Sequence, residues 1–291
     1  MRRLLMRGRE FAWGTRTFIM GIINVTPDSF SGDGLGSDVQ AAVAQAKRFA
    51  DEGADIIDVG GESTRPGSKP ISAEEERRRV LPVIDACAQA VDLPISVDTS
   101  KAAVAQAALA AGANMVNDVW GFRADAAIAG VCASAGCPVV LMHNRRTPAE
   151  ATRVGQLGGH YAGLHYTDLM AEIMQELGES ITLATAAGVD SGNIIIDPGM
   201  GFAKTAEHNL ELMRHLGELR RLGYPILLGP SRKSTIGLVL GLPVDQRLEG
   251  TAALVALAIA AGVDIVRVHD VRAMVRVARM ADAVVRGWSR P

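Results

Sequence analysis

The chain has 291 residues, 48% of them hydrophobic and 4% aromatic, and its 30 Lys and Arg nearly balance 32 Asp and Glu for a formal charge of -2. That length suits a single α/β barrel, which commonly takes about 250 residues, and the near-neutral balance gives no case for a nucleic-acid partner. Three cysteines, Cys87, Cys132 and Cys137, sit among apolar or small neighbours and read as reduced core thiols. The opening MRRLLMRGRE lacks a signal-like apolar stretch and no run of about 18 apolar residues occurs. The expectation is a cytoplasmic protein with no membrane contact.

Residues 1–16 are basic and mixed, and read as a short N-terminal extension or hairpin. The apolar run TFIMGIIN, 17–24, is a buried strand, and the Gly-, Ser- and Asp-rich 26–36 is a loop. Helical spacing of Val39, Ala42, Val43, Ala46 and Phe49 predicts a helix over 38–51. The unit then recurs. Strand 55–60 leads into the long loop GGESTRPGSKP and a helix over 72–90, opened by Ser72 and Glu75 as a capping box. Strand 94–98 precedes a helix over 100–111, strand 115–119 a helix over about 124–135. Strand 138–143 precedes a polar connection and one long helix, or a pair, across 160–187. Strand 193–197 is followed by a helix at about 206–221, strand 225–229 by a short helix at 235–240 and a longer one at 246–261, and strand 264–268 by a closing helix over 271–286. Gly53, Gly112, Gly136, Gly188 and Gly262 fit helix C′ caps.

Eight apolar strands alternating with helices, apolar on both faces and without a dinucleotide or phosphate-loop signature, predict a closed (β/α)8 TIM barrel. It forms one domain over 17–291. Chemistry in that fold sits at the C-terminal ends of the strands. Those ends carry Asn24; Glu62, Thr64 and Arg65; Asp98; Asn117 and Asp118; His143 and Asn144; Asp197; Ser231, Arg232 and Lys233; and Arg267 with His269.

Arg267 and His269 are two apart and point the same way, a pairing suited to a phosphate or diphosphate; the plain alternative pairs Arg267 with Asp270. Asp98 and Asp197 can bind a metal, act as acid and base, or grip a ligand through adjacent N–H donors, and spacing does not choose. Without HExxH or a cysteine cluster zinc is disfavoured, and Mg²⁺, with Asn24 as one oxygen ligand, is the better expectation. The loops 26–36 and 61–70 have the composition of lids.

Eight stretches, one per strand, then carry a resemblance: IMGIINVTPDSFS at 19–31, DVGGESTRPG at 58–67, SVDT at 96–99, MVNDV at 115–119, LMH at 141–143, IIDPGMGFAK at 195–204, GPSRKS at 229–234 and VRVHDV at 266–271. Along residues 17–286 the chain resembles the dihydropteroate synthase family. The resemblance implies condensation of 6-hydroxymethyl-7,8-dihydropterin diphosphate with 4-aminobenzoate, a homodimer, sulfonamide binding, and diphosphate departure ahead of amine attack. It implies pterin contacts from Asp98, Asn117, Met142, Asp197, Phe202 and Lys233. It implies aminobenzoate contacts from Thr64, Pro66, Phe202, Lys233 and Ser234, and diphosphate contacts from Asn24, Arg65, Arg267 and His269. Asn24 is also the Mg²⁺ contact, and Asp98, Asp197, Lys233, Arg267 and His269 form the catalytic set.

Two departures stand out. Asp33 falls one place later than the family's loop acid. The pair Arg145 and Arg146 is unusual, and both are expected to face solvent. The competing readings are a pterin-dependent methyl-transfer domain serving a corrinoid protein, a phosphate-handling aldolase or isomerase barrel, and a non-catalytic pterin-binding paralogue. The methyl-transfer domain would not need Arg267, His269 or the SRKS segment. The aldolase type uses a strand-interior Lys, which this chain lacks.

Overall fold

In the computed structural model the described residues are 3–26, 38–63, 68, 70–145, 152–153, 159–160 and 165–288. Loop residues 27–37, 64–67 and 69, and with them Asp33, Thr64, Arg65 and Pro66, lie outside the described residues, as does Arg146.

An antiparallel hairpin, β1 (Arg3–Met6) with β2 (Arg9–Ala12), precedes the repeating units. These run β3 (Phe18–Asn24), α1 (Val39–Glu52), β4 (Ile56–Gly60), α2 (Ala73–Ala90), β5 (Ile95–Asp98), α3 (Ala102–Ala110), β6 (Met115–Asp118), α4 (Ala127–Ala135) and β7 (Val139–Met142). A two-residue ladder of β8 (Thr152–Arg153) with β9 (Gly159–His160) then leads to α5 (Leu169–Ala186), β10 (Ile194–Asp197) and α6 (Ala206–His215). The chain ends with β11 (Leu227–Leu228), α7 (Ser234–Leu240), α8 (Leu248–Ala260), β12 (Ile265–Val268) and α9 (Val271–Val285). Eight parallel strands lie in the order β10-β7-β6-β5-β4-β3-β12-β11. A parallel bridge between Ile196 and Ile226 joins the two ends, so the sheet curls into the expected barrel.

The alternation of strand side chains divides the core in two. Ile23, Ile57, Val59, Val97, Val116, Leu141, Ile196, Val266 and Val268 face outward and pack under the helices. Met20, Ile56, Met115, Val140, Ile195, Leu227 and Ile265 face inward. The hairpin seals the lower end of that inner column: Leu4, Met6, Phe11 and Trp13 join the same cluster, with the Phe11 and Phe18 rings 4.8 Å apart. With that end filled by apolar side chains, the open end is the one where the strands finish.

Several local expectations change. Within the span 160–187, His160 belongs to the small ladder and the described helix begins at Leu169, where Asp168 caps it by accepting from Ala171 N. Ser72 accepts from Glu75 N, but the Glu75 carboxylate goes to Arg78 and Arg79, so the box is half made. The reciprocal box lies instead at Thr205 with His208. The seventh barrel strand shrinks to two residues, and 216–222 tightens to a 3₁₀ helix. The five capping glycines all have positive φ, between 60° and 108°. No helix among the described residues is long and apolar enough to cross a membrane.

Candidate active site

Directly above the apolar inner column, the next inward position is polar on five of the eight strands and a methionine on a sixth. Asp58 follows Ile56, Asp98 follows Ser96, Asn117 follows Met115, Met142 follows Val140, Asp197 follows Ile195 and Arg267 follows Ile265. Arg267 crosses the mouth. Its Nε donates to Asp58 Oδ2 at 2.6 Å and its Nη2 to Asp98 Oδ2 at 2.7 Å, while Asn117 Nδ2 donates to the same Asp58 oxygen at 3.2 Å. Asp58 is fully buried, and its Oδ1 has no hydrogen-bond partner among the described residues. Burial pushes the Asp98 carboxyl up while Arg267 pulls it back. For Arg267 burial works the other way, but the two acids keep it charged. The mouth therefore has a cation already held by acids, and it is not Asp270 that holds it. That acid takes Arg232, at 3.0 and 2.7 Å.

Asp197 ends β10 and is buried up to its tip. Burial pushes its carboxyl up to about 6, against a hydrogen bond from Gly199 N at 2.7 Å and the charges of Lys233, Lys204 and Arg267. The turn after it is tightly specified. Gly199 has φ +70°, and a Cβ there would lie 2.0 Å from the His143 carbonyl oxygen, so only glycine passes. Gly201 N donates to Asn209 Oδ1 at 2.8 Å, and Tyr166 Oη donates to the Ala203 carbonyl at 2.8 Å. The turn sets the Phe202 ring 4.2 Å from Lys233 Nζ. Lys233 immediately precedes α7, and Ser234 is that helix's first residue. The two substrate walls expected from sequence, Phe202 and Met142, thus flank the turn from β10 and the end of β7.

His269 lies one residue beyond β12. Its backbone N–H donates to Ser231 Oγ at 3.2 Å, and its Nδ1 is 3.0 Å from the same hydroxyl. The Ser231 hydroxyl thus fixes the orientation of the His269 ring. Asn24 ends β3, half-buried, in register with Gly60.

Other strand-end residues do not reach the mouth. Asp118 turns outward and accepts from Trp120 N and Phe122 N, which folds its own loop. His143 is fully buried behind the turn, with Nδ1 2.8 Å from Lys204 Nζ and Nε2 3.1 Å from Glu176 Oε2. Glu62 pairs with Lys101. Arg145 is not turned to solvent: it binds Glu172 at 2.7 Å and also Glu176, and its guanidinium lies 4.2 Å from the Tyr166 ring centre. Asp58 and Lys204 were not among the sequence candidates. The inward register of Asp58, two residues before Gly60 on a strand whose last turn opens on the mouth, is the signal that could have found the first.

The model of the pterin binding enzyme family matches residues 20–269. A dihydropteroate synthase of Clostridium beijerinckii is 50% identical over 96% of this chain and 98% of its own length. Among solved structures, dihydropteroate synthase of Clostridium difficile in the presence of pteroic acid is 49% identical with a TM-score of 0.86, covering 95% of this chain and 99% of that one. The enzyme of Xanthomonas albilineans with 4-aminobenzoic acid is 44% identical with a TM-score of 0.86, covering 97% and 98%.

The raised Asp197 carboxyl has a thermodynamic sign. Between the unfolded value and about 6 the folded chain binds more protons than the unfolded one, so stability falls as pH rises through that window. Asp197→Asn removes the cost. In urea unfolding of the ligand-free protein the variant should be more stable at pH 7 by on the order of 1–3 kcal/mol, with the gain shrinking toward pH 4. A variant less stable than the parent at pH 7 would contradict this.

Proposed function

Because this chain belongs to the dihydropteroate synthase family, we infer that its barrel mouth condenses 6-hydroxymethyl-7,8-dihydropterin diphosphate with 4-aminobenzoate to 7,8-dihydropteroate and diphosphate. The observation that carries the residue roles is the convergence of Asp98, Asn117, Asp197 and Arg267 from four strands around the barrel onto one interior space. The methyl-transfer reading lacks a use for Arg267 and His269 at that mouth.

The ring half of the substrate needs acceptors and walls. A carboxylate at Asp197 can take two adjacent N–H groups of the 2-aminopyrimidinone edge, and burial makes each of those bonds worth more than in water. Asp98 and Asn117 serve the remaining ring atoms, and Lys233 donates to a ring acceptor. Met142 and Phe202 form the apolar sides. Lys233, Phe202 and Ser234, with Thr64 and Pro66 of the second loop, border the aminobenzoate.

The leaving half needs donors. Two edges of the Arg267 guanidinium go to Asp58 and Asp98, which leaves Nη1 as the arm for a phosphate oxygen. The imidazole of His269 is the second donor, and Arg65 of the second loop the third. As the methylene C–O bond breaks, its electron pair leaves with the diphosphate, and these donors take up the growing charge. The ring delocalises the methylene cation beside the Asp98 and Asp197 carboxylates. The aminobenzoate nitrogen then forms the new C–N bond and sheds one proton. Its lone pair is nucleophilic without a base, so the residues need only orient it and exclude water.

Among the described residues no cluster of three or more His, Cys, Asp or Glu could hold a metal. The Asn24 amide offers a single protein oxygen at the rim, and Mg²⁺ takes one or two protein oxygens and completes its shell with phosphates and water. Asn24 at the end of β3 would hold it, and when bound it supplies further neutralisation of the leaving diphosphate. The three buried free thiols support a reducing, cytoplasmic setting.

A homodimer through the outer helices is supported by the exposed apolar side chains Val239 on α7, Leu257 on α8, and Met280 and Val284 on α9. Sedimentation velocity reads this directly: a two-chain species is expected at micromolar concentration, and a lone monomer there would contradict it.

The activity itself is tested by coupled turnover with the two substrates. The parent chain should turn over, and Asp197→Asn should lose at least about 100-fold in kcat/KM, since one acceptor for the ring becomes a poorer one at the buried site. Equal rates in both would mean that Asp197 does not hold the pterin edge.

A further inference from the structure

Behind the turn that follows β10 lies a lysine for which the reaction has no direct use. Lys204 is 2% exposed. Its ammonium has three N–H bonds and meets three acceptors: His143 Nδ1 at 2.8 Å, the Gly199 carbonyl at 3.2 Å and the Phe202 carbonyl at 3.1 Å. Burial pushes the His143 imidazole down to about 3, so it stays neutral, accepts at Nδ1 and turns Nε2 toward Glu176. Burial works against the Glu176 carboxylate too, but His143 and Arg145 hold it far below its usual range. A buried cation thus binds a neutral ring whose far edge lies 3.1 Å from the half-buried Glu176 carboxylate.

Such a chain is costly to assemble, and the hydrogen bonds to the turn do not by themselves call for a cation. Tyr166 and Asn209 already bind the turn at Ala203 and Gly201. A neutral amide or hydroxyl would satisfy the Gly199 and Phe202 carbonyls at lower cost. What the ammonium adds is charge, beside a turn whose Gly199 N–H binds Asp197 on the substrate side.

We propose that Lys204 is a positioning residue for this reaction: through the Gly199 and Phe202 carbonyls it sets the turn that presents Asp197 and Phe202 to the pterin, and its charge keeps Asp197 in the acceptor form that the ring requires. The proposal rests on the pterin-diphosphate reading of the mouth. The charges facing Asp197 are those of Lys233, Lys204 and Arg267. Those facing Lys204 are Asp197 and Glu176, which attract, and Arg145 and Lys233, which repel. Burial pushes Lys204 down and Asp197 up, and each charge favours the charged form of the other. Removing that charge moves Asp197 further up, and the acid limb of kcat/KM moves to higher pH with it.

The test compares Lys204→Met, Lys204→Gln and Tyr166→Phe with the parent over pH 5–8. Lys204→Gln keeps donors for the turn without the charge, and serves if the Met variant does not fold. Tyr166→Phe loosens the same turn without changing charge. Both Lys204 variants should shift the acid limb upward by about one pH unit. Lys204→Met, which also loses the donors, should raise KM for the pterin diphosphate by at least about 10-fold, and Lys204→Gln by less. Tyr166→Phe should leave the limb where it is. An unshifted limb in a folded Lys204 variant overturns the proposal, and so does an equal shift in Tyr166→Phe. A parent protein that turns over no pterin diphosphate would instead overturn the reading of the site.

Discussion

One guanidinium held between two buried carboxylates closes the top of the barrel's inner column. Below Arg267 every inward position but one is apolar, and the hairpin seals the far end. At its own level stand Asp58, which is fully buried, and Asp98, and each binds a different edge of the fork. Such a group is not there to add net stability. Pairs of this kind often do no better than apolar residues of the same size, yet breaking one by removing a single partner costs about 3–5 kcal/mol. What it achieves is placement. The fork is pinned by Nε and Nη2, Asn117 is oriented by the same Asp58 oxygen, and Nη1 is left for a ligand.

Around that centre the mouth separates into an acidic side and a donor side. The acids descend from β5 and β10, and the donors stand at the ends of β11 and β12. Joining them is a substrate whose ring offers N–H groups and whose tail carries the leaving charge. Burial shapes both sides. It raises Asp197 toward neutrality, so the cations around it determine whether it can serve as an acceptor. The glycine-rich turn behind it transmits this control, because Gly199 passes under the His143 carbonyl with no space for a side chain.

The barrel was legible in the chain because its strands are apolar on both faces and five of its helices end on left-handed glycines. Asp98, Asn117, Asp197 and Arg267 were legible because they sit at strand ends, where the inward register can be counted. Asp58 was missed because it lies inside IIDVG and looks like one polar interruption of a buried strand. Lys204 was missed because nothing local distinguishes it from a surface lysine opening a helix; its acceptors come from β7 and from a turn that folds back on it. Arg145 shows the converse error. Two adjacent arginines read as solvated, whereas Glu172 and Glu176, a helical turn apart on α5, claim the first. Strand ends and turns are written locally, but partners brought from distant segments are not.

The dependence of the mouth on the Arg267 pair is tested most directly by a double-mutant cycle of Arg267→Met and Asp58→Asn, read as unfolding free energy in urea. Arg267→Met alone should cost about 3–5 kcal/mol, because it strands two buried acids. The double variant should recover at least about 2 kcal/mol of that loss, the coupling expected of groups in direct contact. Additive losses from the two substitutions would mean that the guanidinium and Asp58 do not depend on each other, and the constraint placed at the centre of this fold would be wrong.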